Sequence, residues 1–203
     1  MPHHTPSRHF YRAFADLARG ASEAARILHE ILAEPHPFTR LLDEMTEVER
    51  VSADARQELV AAIDGVTVTP LDREDVHQVA SGLGGLVSLL HDTARRVQDL
   101  HLTRTREAAR ALAHLLVRAT RCIEESVVQL KRPAVLVEKR SEMERLCEEG
   151  IAIYDRASST LFSGAPDAME VLRWKEVYDA LEHALAECRG VQNMLSSIAL
   201  ENR

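Results

Sequence analysis

The chain has 203 residues, room for one large helical domain or two small ones fused. Hydrophobic residues make up 45% and aromatics only 4%, a balance that suits aliphatic helix packing. A formal net charge of −7 argues against nucleic acid, which needs a concentrated basic face.

Apolar residues recur at helical spacing almost throughout. The first helix is expected over about Arg8 to Ala33, with Phe10, Phe14, Leu17, Ala21, Ala25 and Leu28 on one stripe. Glu34-Pro35-His36-Pro37 stops it, because proline disfavours helix in the residue before it. The second helix is expected over about Phe38 to Ile63, with Gly65 as its stop. Val66-Thr67-Val68-Thr69-Pro70 then reads as an extended link.

Asp72 is an N-cap for the third helix, and Asp75, three residues on, makes a capping-box-like pair with it. That helix continues to about Leu100, and the fourth spans about Thr103 to Leu130. Lys131-Arg132-Pro133 ends the fourth, and the fifth covers about Val135 to Phe162. Ser163-Gly164-Ala165-Pro166 is a loop. Asp167 caps the sixth helix, with Glu170 three residues on, and that helix runs to about Leu200.

The fold class expected is all-α: six long helices with short connections, in an up-and-down bundle. One domain covers residues 1–203. A capped helix follows the break at Pro70 and another follows Pro166, so two pseudo-repeated three-helix halves are expected, at about 8–100 and 103–200.

The longest apolar runs, Leu83–Leu90 and Ala111–Val117, fall far short of the roughly 20 residues a membrane-spanning helix needs. Met1-Pro2-His3-His4-Thr5 lacks the apolar core of a signal peptide, so a cytoplasmic location is expected. Cys122, Cys147 and Cys188 are odd in number and far apart, which favours reduced thiols. His3, His4 and His9 precede or open the first helix and would bind nickel or zinc only adventitiously. The basic pairs Arg95-Arg96 and Lys131-Arg132 read as solvated helix ends. There is no glycine-rich phosphate loop, nucleophile elbow or His-Glu-x-x-His, so no enzyme is expected and no cofactor.

Three segments carry a resemblance. They are Phe10-Tyr11-Arg12-Ala13-Phe14 with Ala24-Ala25-Arg26-Ile27-Leu28; Thr69-Pro70-Leu71-Asp72-Arg73-Glu74-Asp75-Val76-His77; and Leu161-Phe162, Arg173-Trp174-Lys175-Glu176-Val177-Tyr178 and Leu181-Glu182. In this order and spacing the chain resembles the PhoU-like proteins that accompany Pit-type phosphate transporters. The resemblance implies a PhoU-like bundle, a non-enzymatic role in regulating inorganic phosphate uptake, and a Pit-type transporter as partner. It would sit at the inner membrane face through that partner, alone or in homo- or hetero-oligomers. The exposed helix start at Asp72, Arg73, Glu74, Asp75 and His77 is the candidate contact; capping and local ion pairs explain the same residues structurally.

The resemblance also implies two metal clusters built from Glu-x-x-x-Asp spacings, in which residues at i and i+4 share a face and carboxylates of facing helices converge on a cation. Here the pattern has decayed. Arg50 precedes Asp54; Gly84, Gly85 and Ser88 replace aspartates; Cys147 and Ile151 stand at the expected Glu and Asp; and Glu182 is followed by Ala186. Asp54 and Glu182 alone remain, so no metal ligand is assigned. An alternative is a rearranged site for iron, zinc or manganese near Glu148, Glu149 and Asp155, or near Glu182, His183 and Glu187, serving sensing or buffering. His183 and Glu187 also read as a plain surface pair, and Cys147 as plain packing. Gly82, Gly84 and Gly85 read either as close helix approach or as a soft spot in the third helix.

Overall fold

The computed structural model describes residues 6–33, 38–64, 71–102, 104–163 and 167–201, with side chains described from Tyr11 onward except those of 62 and 64. The expectations placed on the N-terminal histidines, the Phe10 side chain, the 34–37 and 65–70 links, Thr103 and the 164–166 loop lie outside them.

Six helices follow in order: α1 (Pro6–Ala33), α2 (Thr39–Asp64), α3 (Arg73–Asp99), α4 (Glu107–Val128), α5 (Pro133–Leu161) and α6 (Ala168–Glu201). No strand occurs among the described residues. The expected stripe on α1 is buried at Phe14, Leu17, Ala21, Ala25 and Leu28, which fixes the face α1 turns inward.

Two boundaries differ from the sequence reading. Pro133, expected to separate two helices, is the first residue of α5, where its missing N–H is no loss and its φ is already helical. The start of α4 moves to Glu107. His101 takes a positive φ of 50° after the last turn of α3, and Leu102 turns inward before the chain re-enters a helix. A non-glycine residue in that left-handed position closes α3 where glycine is commoner.

α1 packs against α2, α3 and α4; α4 against α1, α5 and α6; α3 and α6 against each other; and α2·α3 and α5·α6 complete the set. Exchanging α1 with α4, α2 with α5 and α3 with α6 maps this set onto itself. The two three-helix halves thus meet like with like, through α1·α4 and α3·α6, while α2 and α5 lie outermost with two neighbours each.

Short connections make consecutive helices antiparallel, giving the bundle two ends. At one, Lys131 of the α4–α5 turn sits 4.7 Å above the Tyr11 ring near the α1 start, and Asp75 near the α3 start feels Glu201 at the end of α6. At the other, Arg106 before α4 bonds Glu170 of α6 at 2.7 Å and lies 5.4 Å from the Trp174 ring.

Candidate partner-docking site

At the start of α3, Asp72 has φ −58° and ψ 138°, outside the helix, and its Oδ1 accepts the Glu74 N–H at 2.8 Å. The Val76 N–H bonds back to the Asp72 carbonyl at 3.2 Å. Leu71 and Val76 occupy the positions of a hydrophobic staple and both are buried, which fixes how the chain enters the helix. Asp72, Arg73 and Glu74 are therefore left exposed, while Asp75 and His77 are half-buried beside them. Gln78 Nε2 reaches Glu74 Oε1 at 3.4 Å.

The reciprocal half of a capping box is missing. Asp75 does not return to the Asp72 N–H; instead burial, and then the carboxylates of Glu201, Asp72 and Glu74, hold its carboxyl above the usual range. This helix start is an acidic surface with one arginine on it, and all five residues singled out in the sequence lie within its first turn and a half.

The same backbone device recurs at the start of α6. Asp167 Oδ1 accepts the Met169 N–H at 3.0 Å, and the Val171 N–H bonds the Asp167 carbonyl at 3.0 Å. Here too the fourth capping-box residue is engaged elsewhere: Glu170 holds Arg106, 64 residues away. Met169 and Leu172 stand at the positions equivalent to Glu74 and His77; they are 55% and 62% exposed, and Phe162 at the end of α5 is 62% exposed. The sequence reading did not single out this apolar turn. The signal was present, because Met169 and Leu172 fall outside the stripe of Val171, Trp174, Tyr178 and Leu181 that forms the buried face.

The positions where the resemblance implied metal ligands are now occupied differently. Asp54 is exposed and bonded by Arg50 at 2.7 Å, with Glu47 on the other side of the same guanidinium at 2.6 Å. Cys147 is buried and within 3.6 Å of the Leu185 carbonyl, and burial pushes its thiol up, away from the thiolate a metal needs. Ile151 faces outward, 44% exposed. Glu182 is half-buried, and His183 and Glu187 pair at 3.4 Å on the surface. Burial also pushes the Cys122 thiol up to about 12 and raises that of Cys188. Among the described residues no group of three or more His, Cys, Asp and Glu is placed to hold a metal ion.

The three glycines of α3 have three different surroundings. A Cβ at Gly82 would come within 2.9 Å of Met194 Cε, so α3 and α6 approach closely there. At Gly84 it would meet Arg56 Cδ at 3.0 Å, and at Gly85 it would meet nothing within 4 Å. Close approach explains the first, a side chain laid across the helix the second, and nothing in the structure explains the third.

Known proteins bear on this arrangement in both sequence and fold. No family model matches the chain. It is 22% identical over 199 residues, 95% of its length and 93% of the other's, to the "Putative pit accessory protein" of Rhizobium meliloti (strain 1021). It is 20% identical over 167 residues, 79% of each chain, to the UPF0111 protein YkaA of Bacillus subtilis (strain 168). A PhoU-like protein from Shewanella oneidensis MR-1 superposes with a TM-score of 0.84 at 10% identity, covering 94% of this chain and 99% of that one. A second structure from that organism, described as a putative PhoU-like phosphate regulatory protein, gives 0.69 at 12% identity, over 97% and 100%. The chain has a PhoU-like fold. Within the PhoU-like bundle, the capped start of α3 is the charged, exposed corner, and the capped start of α6 is the apolar one.

Proposed function

We propose that this PhoU-like chain is a non-enzymatic accessory protein of a Pit-type inorganic phosphate transporter, acting at the cytosolic face and without a metal of its own. The observation that carries the reading is the near full-length match to the Rhizobium meliloti protein. Two features support it. Among the described residues no helix is long and apolar enough to cross a membrane, so contact with a transporter would be made from outside the bilayer. The α3 start presents Asp72, Glu74 and Asp75, and cytosolic loops of membrane proteins carry an excess of Lys and Arg, so the charges are complementary. The contact is assigned to Asp72, Arg73, Glu74, Asp75 and His77. Metal independence is supported by the Arg50 guanidinium that occupies Asp54 and by the protonated Cys147.

The test is co-purification with a Pit-type transporter. Charge reversal at Arg73→Glu with Glu74→Lys should abolish it while leaving the helical circular dichroism intact; unchanged co-purification would sink the assigned contact. Elemental mass spectrometry on tag-free protein should show no retained iron, zinc or manganese. Stoichiometric metal surviving dialysis would move the reading to metal sensing or buffering.

A further inference from the structure

The turn between α4 and α5 is a basic place on an acidic chain. From Ser126 to Val137 the sequence holds no carboxylate, two cations and mostly apolar residues. The structure turns part of that apolar set outward: Val128 is 67% exposed and Val137 51%. Two open grooves meet at the turn, of about 540 and 580 Å³, and Val128 and Arg132 line both. Arg12 and Lys131 border the first groove; Arg121 and Lys139 border the second together with Glu124 and Glu125, of which Glu125 pairs with Lys139. Arg121, Lys131 and Arg132 have no carboxylate within ion-pair reach among the described residues; Lys131 rests on the Tyr11 ring instead. By contrast, Arg26, Arg50, Arg96, Arg106, Lys139 and Lys175 are neutralised by adjacent carboxylates.

Unpaired cations beside exposed aliphatic side chains at the tip of a helical hairpin have the composition that holds a protein to a membrane surface. The cations meet anionic headgroups and the aliphatic groups enter the boundary beneath them. An acidic protein segment would satisfy the cations but would leave Val128 and Val137 with nothing apolar to cover them. We propose that the α4–α5 turn docks on an anionic lipid surface through Arg121, Lys131 and Arg132, with Val128 and Val137 in contact with the interface. The turn lies at the same end of the bundle as the α3 start, since Tyr11 ties it to the start of α1 and Glu201 lies near Asp75. A transporter loop and the surrounding headgroups would thus be met from one side. The lipid contact does not rest on the transporter reading, because it needs no second protein.

The experiment is flotation of the full chain with vesicles of phosphatidylcholine alone or of phosphatidylcholine and phosphatidylglycerol in a two-to-one ratio. The chain should float only with the phosphatidylglycerol vesicles, and added salt should release it. Lys131→Glu with Arg132→Glu should lower the bound fraction at least tenfold at unchanged helicity. If that variant does not fold, Arg121→Glu should show a smaller drop in the same direction. Absence of flotation with anionic vesicles, equal flotation with neutral ones, or binding untouched by the charge reversals would overturn the proposal. Binding of a polyglutamate peptide but not vesicles, lost in the same variants, would overturn it in favour of an acidic protein partner.

Discussion

The starts of α3 and α6 are built on the same backbone. Each has an aspartate outside the helix bonding the amide two residues on, a second bond from a valine four residues on, and a buried face below. What projects from them differs. The α3 start carries Arg73, Glu74 and His77 where the α6 start carries Ala168, Met169 and Leu172. Their acidic neighbours differ as well: Asp75 is crowded by other carboxylates, while Glu170 has the Arg106 guanidinium at 2.7 Å. Backbone geometry at a helix start thus depends on the cap and the buried flank, and leaves the outward positions free for different partners.

Three measurements probe that comparison, from the largest effect down. Trp174 and Val79 hold equivalent buried positions, each seven residues after its capping aspartate. Trp174→Ala should cost about 3–5 kcal/mol and Val79→Ala about 2 kcal/mol in urea unfolding, because the volume removed is so different. Equal losses would mean that the two positions do not share a role. Asp72→Ala and Asp167→Ala should each cost about 1 kcal/mol, since each removes one cap bond of the same geometry. A cost at only one of them would break the equivalence of the two starts.

The smallest effect has opposite signs at the two starts. The Asp75 carboxyl is raised in the folded chain, so its stabilising protonated form is fully present below the ordinary value of 3.8 and is lost as pH rises through the raised one. At neutral pH the folded state therefore carries an unfavourable charge there. Asp75→Asn should raise the melting temperature slightly at neutral pH, and the gain should close below pH 3.8. Glu170→Gln removes the partner of Arg106 and should lower it slightly. A fall in both variants would show that Asp75 is engaged more favourably than its surroundings indicate.

The helices were legible in the sequence because their signals are local. Aliphatic spacing, the capping aspartates and the prolines act within a few residues, and the six helices begin and end close to where those signals lie. The surface pair His183–Glu187 was readable for the same reason, as residues at i and i+4 share a helix face. What escaped was long-range. Glu170 could be read as the reciprocal half of a capping box because nothing in its neighbourhood reveals Arg106, 64 residues earlier in the chain. Lys131-Arg132 read as a solvated end and both are exposed, but the sequence does not show that Lys131 rests on the Tyr11 ring, 120 residues earlier. The glycines of α3 read as one feature and proved to have three surroundings, set by α6, by Arg56 and by open space.

The contact between α3 and α6 has a consequence for how the chain is made. Seven residues separate α3 from α4 along the chain, yet the face of α3 that meets α6 waits for residues Ala168–Glu201 to emerge from the ribosome. The first three helices can pair with one another during synthesis, but α1 and α3 keep aliphatic surface uncovered until α4 and then α6 arrive. A chain stalled or cut short within α6 would present that surface to the cell, and a chaperone that recognises it would engage at that stage, before the bundle closes.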